Sequence, residues 1–183
     1  MFERYTEKAR RVVFFSRFEA GLRAAVYIEP HHLLMGLLRE DRHLFDVTLG
    51  SPTNADALLS EIQAQYALSD TPPATSVDLP LSHASKRILA FGAEESARLN
   101  HRHIGTGHLL LGLLREESDA SKFLRRLGFE LDPIREKFIA DVPDPEPVPP
   151  GIGKHQPLIR LVLQLPESKI TRAEELLRNL LRE

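Results

Sequence analysis

Ile28-Glu29-Pro30-His31-His32-Leu33-Leu34-Met35-Gly36-Leu37-Leu38-Arg39-Glu40 returns seventy-six residues later as Ile104-Gly105-Thr106-Gly107-His108-Leu109-Leu110-Leu111-Gly112-Leu113-Leu114-Arg115-Glu116, with nine of the thirteen pairs identical. Self-similarity at a fixed offset is the mark of a duplicated structural unit. The same offset pairs Thr6 with Ser82, Arg11 with Arg87, Phe15 with Phe91 and Glu19 with Glu95, so the likeness extends upstream of the quoted stretch. Two homologous halves follow, at residues 2–68 and 79–141.

Each half reads as four helices. Thr6 is an N-cap for a first helix with apolar residues at Ala9, Val12, Val13 and Phe15, and Ser82 does the same ahead of Ser85, Ile88, Leu89 and Phe91. A hydroxyl at that position accepts from an otherwise unpaired N–H of the first turn. The second helix carries the Gly-Leu-Leu-Arg-Glu run, with Pro30 in a first turn that needs no donor and Thr106 as the expected cap of the other copy. A third, short helix ends before Gly50 or Gly128, each suited to a left-handed C′ position. The fourth starts near Asn54 or near Asp132-Pro133, a cap followed by proline at the first helical position.

Ser69 to Ser76 is a polar linker with two prolines. Residues 142–157 form a stiffer one, with five prolines between Val142 and Gly151, and a polyproline II conformation is expected there. Beyond it, Leu158 to Leu165 alternates, placing Ile159, Leu161, Leu163 and Leu165 on one face of a short strand. Thr171 to Glu174 matches a capping box, opening a helix with Leu176, Leu177, Leu180 and Leu181 in one stripe. The expected fold is therefore all-α, a tandem pseudo-twofold repeat of two four-helix units at 1–141, with a small strand–helix appendix at 158–183. A lone strand leaves its backbone donors unpaired, so the 158–165 strand is expected to pair with a second copy or with a partner protein, a homodimer being the simplest closed solution.

Composition limits the chemistry. The 183 residues carry 24 basic and 26 acidic side chains, a net charge of −2, which gives no global attraction to nucleic acid or an anionic membrane. Cysteine is absent, which removes disulfides, thiol nucleophiles and cysteine-held metals and fits a reducing compartment. The charged opening Met1-Phe2-Glu3-Arg4-Tyr5 has no apolar signal core, and no apolar run approaches the ~18 residues of a membrane span, so a cytoplasmic location is expected.

The eight histidines invite a metal reading, since His31-His32 and His101-Arg102-His103 are dense. No His-Glu-x-x-His or comparable ligand spacing occurs, and the equivalence of His32 and His108 points to capping or a buried hydrogen bond; no metal and no cofactor are expected. The adjacent acids Glu40-Asp41, Glu94-Glu95 and Glu116-Glu117 diverge by about 100° on a helix and are expected on solvated faces. No Gly-x-Ser-x-Gly turn or phosphate-binding Gly-x-x-x-x-Gly-Lys-[Ser/Thr] loop is present, so neither hydrolase nor ATPase chemistry is expected. Arg4, Lys8, Arg10, Arg11 and Arg17 interleave with Glu3, Glu7 and Glu19, a mixed ion-pair face rather than a phosphate stripe.

The double repeat, the opening Met1-Phe2-Glu3-Arg4-Tyr5-Thr6-Glu7-Lys8-Ala9-Arg10-Arg11-Val12-Val13 and the paired His-Leu-Leu-x-Gly-Leu-Leu-Arg-Glu segments closely resemble the N-terminal repeat domain of Clp unfoldases, of the ClpC type, over residues 2–141. The resemblance implies a non-catalytic helical domain that binds substrate proteins, adaptors or Clp unfoldase and protease components. It also implies a partner surface in the groove between the two first helices, at Phe2, Arg10, Val13 and Lys86. In ClpC-type domains a glutamate at the start of each second helix holds the guanidinium of a phosphorylated arginine while the helix start receives the phosphate. The matching stretches are Glu29-Pro30-His31-His32 and Gly105-Thr106-Gly107-His108, so the glutamate position is His31 in one copy and Gly107 in the other. A guanidinium loses its carboxylate partner in both. What remains is an anion- or peptide-binding candidate made of Glu29, His31, His32, Gly105, Thr106, Gly107 and His108. The alternative function is a small-ligand, anion or metal sensor at these starts, and a further one is a nucleic-acid-binding regulator.

Overall fold

The computed structural model describes residues 3–49, 55–66, 68–69 and 79–141, which belong to one compact unit. Phe2, Gly50, Asn54, the linker from residue 70 onward, the proline segment 142–157 and the 158–183 tail with Ile159, Leu161, Leu163 and Leu165 lie outside the described residues. Eight helices are described: α1 (Glu7–Leu22), α2 (Pro30–Glu40), α3 (Arg42–Leu49), α4 (Ala55–Ala64), α5 (His83–Arg98), α6 (Thr106–Arg115), α7 (Asp119–Arg126) and α8 (Leu131–Asp141). The first four and the last four are the two repeats.

The caps of the first helices match their sequence. Thr6 Oγ1 accepts from Ala9 N at 3.2 Å, and Ser82 Oγ from Ser85 N at 3.2 Å. Pro30 is the first residue of α2, and Gly128, at φ +89°, follows the C-cap of α7 as expected. Two expectations are corrected. The N-cap of α6 is Gly105; Thr106 is already helical, and its hydroxyl donates instead to Asp41 Oδ2 at 2.7 Å. Helix α8 starts at Leu131, so Asp132 lies in its first turn and binds Arg135 at 2.6 Å rather than capping. Pro133 remains acceptable there because none of the first-turn N–H groups has an intrahelical acceptor.

The two repeats exchange their edges. Thr6 N donates to Ile104 O (3.0 Å) and Ile104 N to Arg4 O (2.8 Å); in the other half Ser82 N donates to Ile28 O (3.1 Å) and Ile28 N to Pro80 O (2.8 Å). Each half thus lends the residues before its first helix to the residues before the other half's second helix. These two parallel bridges, Tyr5 with Ile104 and Ile28 with Leu81, fix the pseudo-twofold relation.

At the centre, α2 is buried from His32 to Leu38 and α6 from His108 to Leu114. A helix that is apolar on all sides must be covered on all sides. α1 and α4 cover α2, while α5, α7 and α8 cover α6. Phe45 of α3 and Phe129, just before α8, meet edge to face at 5.6 Å and tie one repeat to the other.

The Gly-Leu-Leu-Arg-Glu run explains how the covering helices dock. A Cβ on Gly36 would overlap Val12 O and Ser16, and one on Gly112 would overlap Ile88 O, so α1–α2 and α5–α6 approach to backbone contact. The Arg and Glu that follow then reach back to the covering helix. Arg39 binds Glu19 at 2.6 Å and Glu40 binds Arg11 at 2.7 Å; Arg115 binds Glu95 at 3.0 Å and Glu116 binds Arg87.

This overturns the solvated reading of the paired acids. Glu19 and Glu95 are fully buried and Glu116 is 5% exposed, whereas Glu94 and Glu117 stay in solvent. Glu95 also binds Arg135 of α8 at 2.8 Å, and Glu19 also binds Arg23 at 2.6 Å and Gln63 of α4 at 3.1 Å. A carboxylate this deep is stable only with such partners. Burial pushes the Glu95 carboxyl up, but the Arg135 hydrogen bond and the Arg135 and Arg115 charges outweigh it and hold it below the usual range.

Candidate functional site

The starts of α2 and α6 are built around the third helical residue. His32 Nδ1 accepts from Glu29 N at 3.0 Å, and His108 Nδ1 from Gly105 N at 2.8 Å. Each imidazole does the work that glutamate does in a capping box, satisfying the N-cap donor. An accepting Nδ1 places the proton on Nε2, a tautomer assigned from these hydrogen bonds. His108 Nε2 then donates to His101 Nδ1 at 2.9 Å. Burial, with His31 and Arg23 nearby, lowers His32 to about 3, and burial with His101 nearby lowers His108 to about 4. Both are neutral structural groups, as their equivalence in the repeat implied.

The rest of each start is covered by the chain itself. In the first copy the His31 ring stacks on Tyr66, with centroids 3.7 Å apart and planes 4° from parallel, and burial lowers His31 to about 4. His32 N already donates to Glu29 O, and Pro30 has no N–H. In the second copy the Phe138 ring lies over Gly107, where a Cβ would come within 2.9 Å of Cζ. Beside it, Asp41 holds the Thr106 hydroxyl and lies 3.7 Å from Lys8. Two aromatic rings from the ends of the fourth-helix regions thus cover the positions where the resemblance places the glutamate that holds a phosphorylated arginine. Among the described residues no group of three or more His, Cys, Asp or Glu is arranged to hold a metal ion, and no helix is long and apolar enough to cross a membrane.

The first-helix surface is different in kind. Val12 of α1 converges with Ile88 and Leu89 of α5 over Leu33, Leu109 and Leu113, marking the seam where the first helices meet. Val13 is half-buried beside that seam. Arg10 Nη2 donates to Glu3 O at 3.3 Å, and Lys86 is exposed two residues before Ile88. Of the four residues expected there, Arg10 and Val13 stand within two residues of Val12 on α1 and Lys86 within two of Ile88 on α5, and Phe2 lies outside the described residues.

Sequence reasoning missed the buried acids. The signal was present in the offset, since Arg11, Glu19, Arg39 and Glu40 recur as Arg87, Glu95, Arg115 and Glu116. Opposite charges that recur together in both copies mark a shared internal contact.

The family model of the Clp repeat (R) N-terminal domain matches residues 4–127. The chain belongs to the Clp repeat N-terminal domain family. Chaperone protein ClpC2, chloroplastic, of Arabidopsis thaliana is 32% identical over 154 residues, which cover 84% of this chain and 16% of that relative. The chain thus spans about a sixth of the relative's length. Among solved structures, the N-terminal domain of the caseinolytic protease associated chaperone ClpD from Arabidopsis thaliana superposes with a TM-score of 0.58 at 25% identity, covering 76% of this chain and 95% of that one. The N-terminal domain of Hsp104 from Candida albicans shares the fold at 16% identity, with a TM-score of 0.59 over 75% of this chain and 90% of that one. In this Clp repeat domain the duplicated motif serves the scaffold: the histidine caps, the glycine permits close approach, and the Arg-Glu pair docks the covering helix.

Proposed function

We propose that this Clp repeat domain is a non-catalytic protein-binding module that recognises segments of substrate or adaptor proteins in Clp-type protein quality control, through the first-helix seam at Arg10, Val13 and Lys86. The observation that carries the reading is that the duplicated motif is consumed by packing, capping and internal ion pairs, while Val13 is only half-buried on α1 and Lys86 is exposed on α5 with no ion pair among the described residues. Apolar centres flanked by arginine are typical of protein contacts. The covered second-helix starts, where the Nδ1 atoms of His32 and His108 already accept from backbone N–H groups, favour this reading over the anion or metal sensor.

Cytoplasmic residence fits the absence of cysteine, and pairing of two copies through the 158–165 segment belongs to the same proposal. Removing residues 151–183 should halve the mass in solution, and an unchanged mass would remove the dimer from it.

A photoreactive residue at position 13 tests the central claim. Cross-linking in a lysate of the source cell should capture Clp components or their clients, and Arg10→Glu with Lys86→Glu should abolish the capture. Capture that is indifferent to the charge reversal would refute the seam.

A further inference from the structure

Most arginines among the described residues hold a carboxylate: Arg11 holds Glu40, Arg39 holds Glu19, Arg87 holds Glu116, Arg135 holds Glu95 and Arg126 holds Glu61. Arg4, Arg98 and Arg102 are exposed and form no ion pair among the described residues. Main-chain hydrogen bonds bring the three positions to one tip. The bond from Ile104 N to Arg4 O sets Arg4 beside the bend at residues 102–103, and the bond from His101 N to Ser96 O, 2.8 Å, folds the loop back over the end of α5, where Arg98 is the last helical residue.

The tip is rigid before anything binds. Ser96 is fully buried, and its hydroxyl lies 2.9 Å from His101 O and 3.1 Å from His103 O, pinning the loop on both sides of Arg102. A recognition loop fixed in advance avoids the ordering cost of binding.

The scaffold does not require these charges. In the other repeat the equivalents of Arg4, Arg98, Arg102 and His103 are Pro80, Leu22, Val26 and Tyr27, all uncharged. The backbone is nevertheless the same: Ala24 at φ +48° matches Asn100 at φ +57°, and Ala25 N donates to Ala20 O where His101 N donates to Ser96 O. One fold thus carries a basic tip at one pole and an apolar tip, with Val26 70% exposed, at the pole related to it by the repeat.

We propose that Arg4, Arg98 and Arg102 form a docking pole for an acidic, extended segment of a partner protein. The inference rests on the protein-binding reading above and supplies the chemistry of one end of the bound segment. Guanidinium groups take carboxylates two bonds at a time, which suits three arginines on a fixed loop. Arg10, hydrogen-bonded to the backbone of Glu3 next to Arg4, links this pole to the first-helix seam, so that one segment crosses both. A short acidic segment fits three arginines better than a nucleic-acid backbone, which needs a longer track of cations than the described residues provide and gains nothing from a net charge of −2.

The test uses the full chain and a fluorescein-labelled peptide of alternating Glu and Gly, read by anisotropy at low and high salt, with the Gln-Gly peptide and a short DNA duplex as competitors. The acidic peptide should bind and weaken with salt. Arg98→Gln with Arg102→Gln should weaken it about ten-fold or more, while Lys122→Gln on α7 leaves it unchanged, with thermal melts confirming that all variants fold. Equal binding by the double variant, equal binding of the Gln-Gly peptide, or tighter binding of the duplex would each overturn the proposal. So would no binding by the native chain at about millimolar peptide; the seam itself is decided separately by the cross-linking at position 13.

Discussion

Glu19 Oε1 in α1 accepts from Arg39 Nε in α2 at 2.6 Å, and the same pair is formed again by Glu95 and Arg115 at 3.0 Å. Each glutamate has no exposed surface and gathers a third helix through a further partner, Gln63 of α4 or Arg135 of α8. The covering helices are therefore held by a buried polar knot as well as by leucines.

Removing one member of a buried ion cluster leaves the other charges uncompensated, which costs about 3–5 kcal/mol. Glu95→Ala should lower the unfolding free energy by that order in urea titration. Glu94→Ala, one residue away and 60% exposed at its side chain, should cost about 1 kcal/mol or less. Equal losses in the two variants would mean that burial does not distinguish them.

The close approach of α1 to α2 and of α5 to α6 sets the second prediction. Gly36→Ala and Gly112→Ala each place a methyl against a main-chain oxygen, which no side-chain rotation relieves. Overpacking costs roughly 1–3 kcal/mol or more. Gly105→Ala, whose nearest neighbour would be His108 Nδ1 at 3.8 Å, should be tolerated in the same thermal melts.

How much of this was legible follows from the kind of signal each residue carries. Thr6, Ser82, Pro30 and Gly128 act within one turn of their own position, and local chemistry identified them. The equivalence of His32 and His108 likewise disclosed their structural role. Thr106 was misread as a cap because a hydroxyl before an apolar run is ambiguous by one residue; its partner, Asp41, lies sixty-five positions away. Glu95 looked solvated because its neighbour Glu94 is, and only the three-dimensional meeting with Arg115 and Arg135 reverses that. The first-helix seam was expected from family resemblance, whereas the basic tip needed the hydrogen bonds that bring Arg4 to the α5–α6 loop.

Ala24 holds φ +48°, a left-handed conformation that its equivalent, Asn100, tolerates better. Ala24→Gly should therefore raise stability by about 1 kcal/mol. The same change at an exposed helical alanine, Ala90, should lower it by a similar amount, because glycine disfavours a helix interior.

The buried histidines make stability fall with acid. Folded-state values of about 3 for His32 and about 4 for His108 lie below the ordinary 6.5, so the unfolded chain binds more protons between these limits. Stability is complete above about pH 6.5 and declines as pH falls, by about 1.4 kcal/mol per pH unit for each histidine well below 6.5. Urea titrations at pH 7 and pH 5 should show the loss. His32→Gln with His108→Gln keeps a capping acceptor without a titrating ring and should reduce the slope to the share of His31, which burial also lowers to about 4; an unchanged slope would assign the acid sensitivity to other groups.

The last prediction concerns phosphorylated arginine. Binding its guanidinium requires a carboxylate at the start of a second helix, and the two positions hold His31, stacked on Tyr66, and Gly107, roofed by Phe138. Restoring the carboxylate alone is insufficient in the second copy, because any Cβ at 107 meets the Phe138 ring at 2.9–3.2 Å. The ring must leave before a side chain can point outward. A phosphoarginine peptide followed by calorimetry should show no heat with the native chain and none with Gly107→Glu. Gly107→Glu with Phe138→Ala should bind, since the space and the charge then coincide. Binding by the native chain would show that the helix starts capture the phosphate without a carboxylate, and that Phe138 and Tyr66 move aside to admit it.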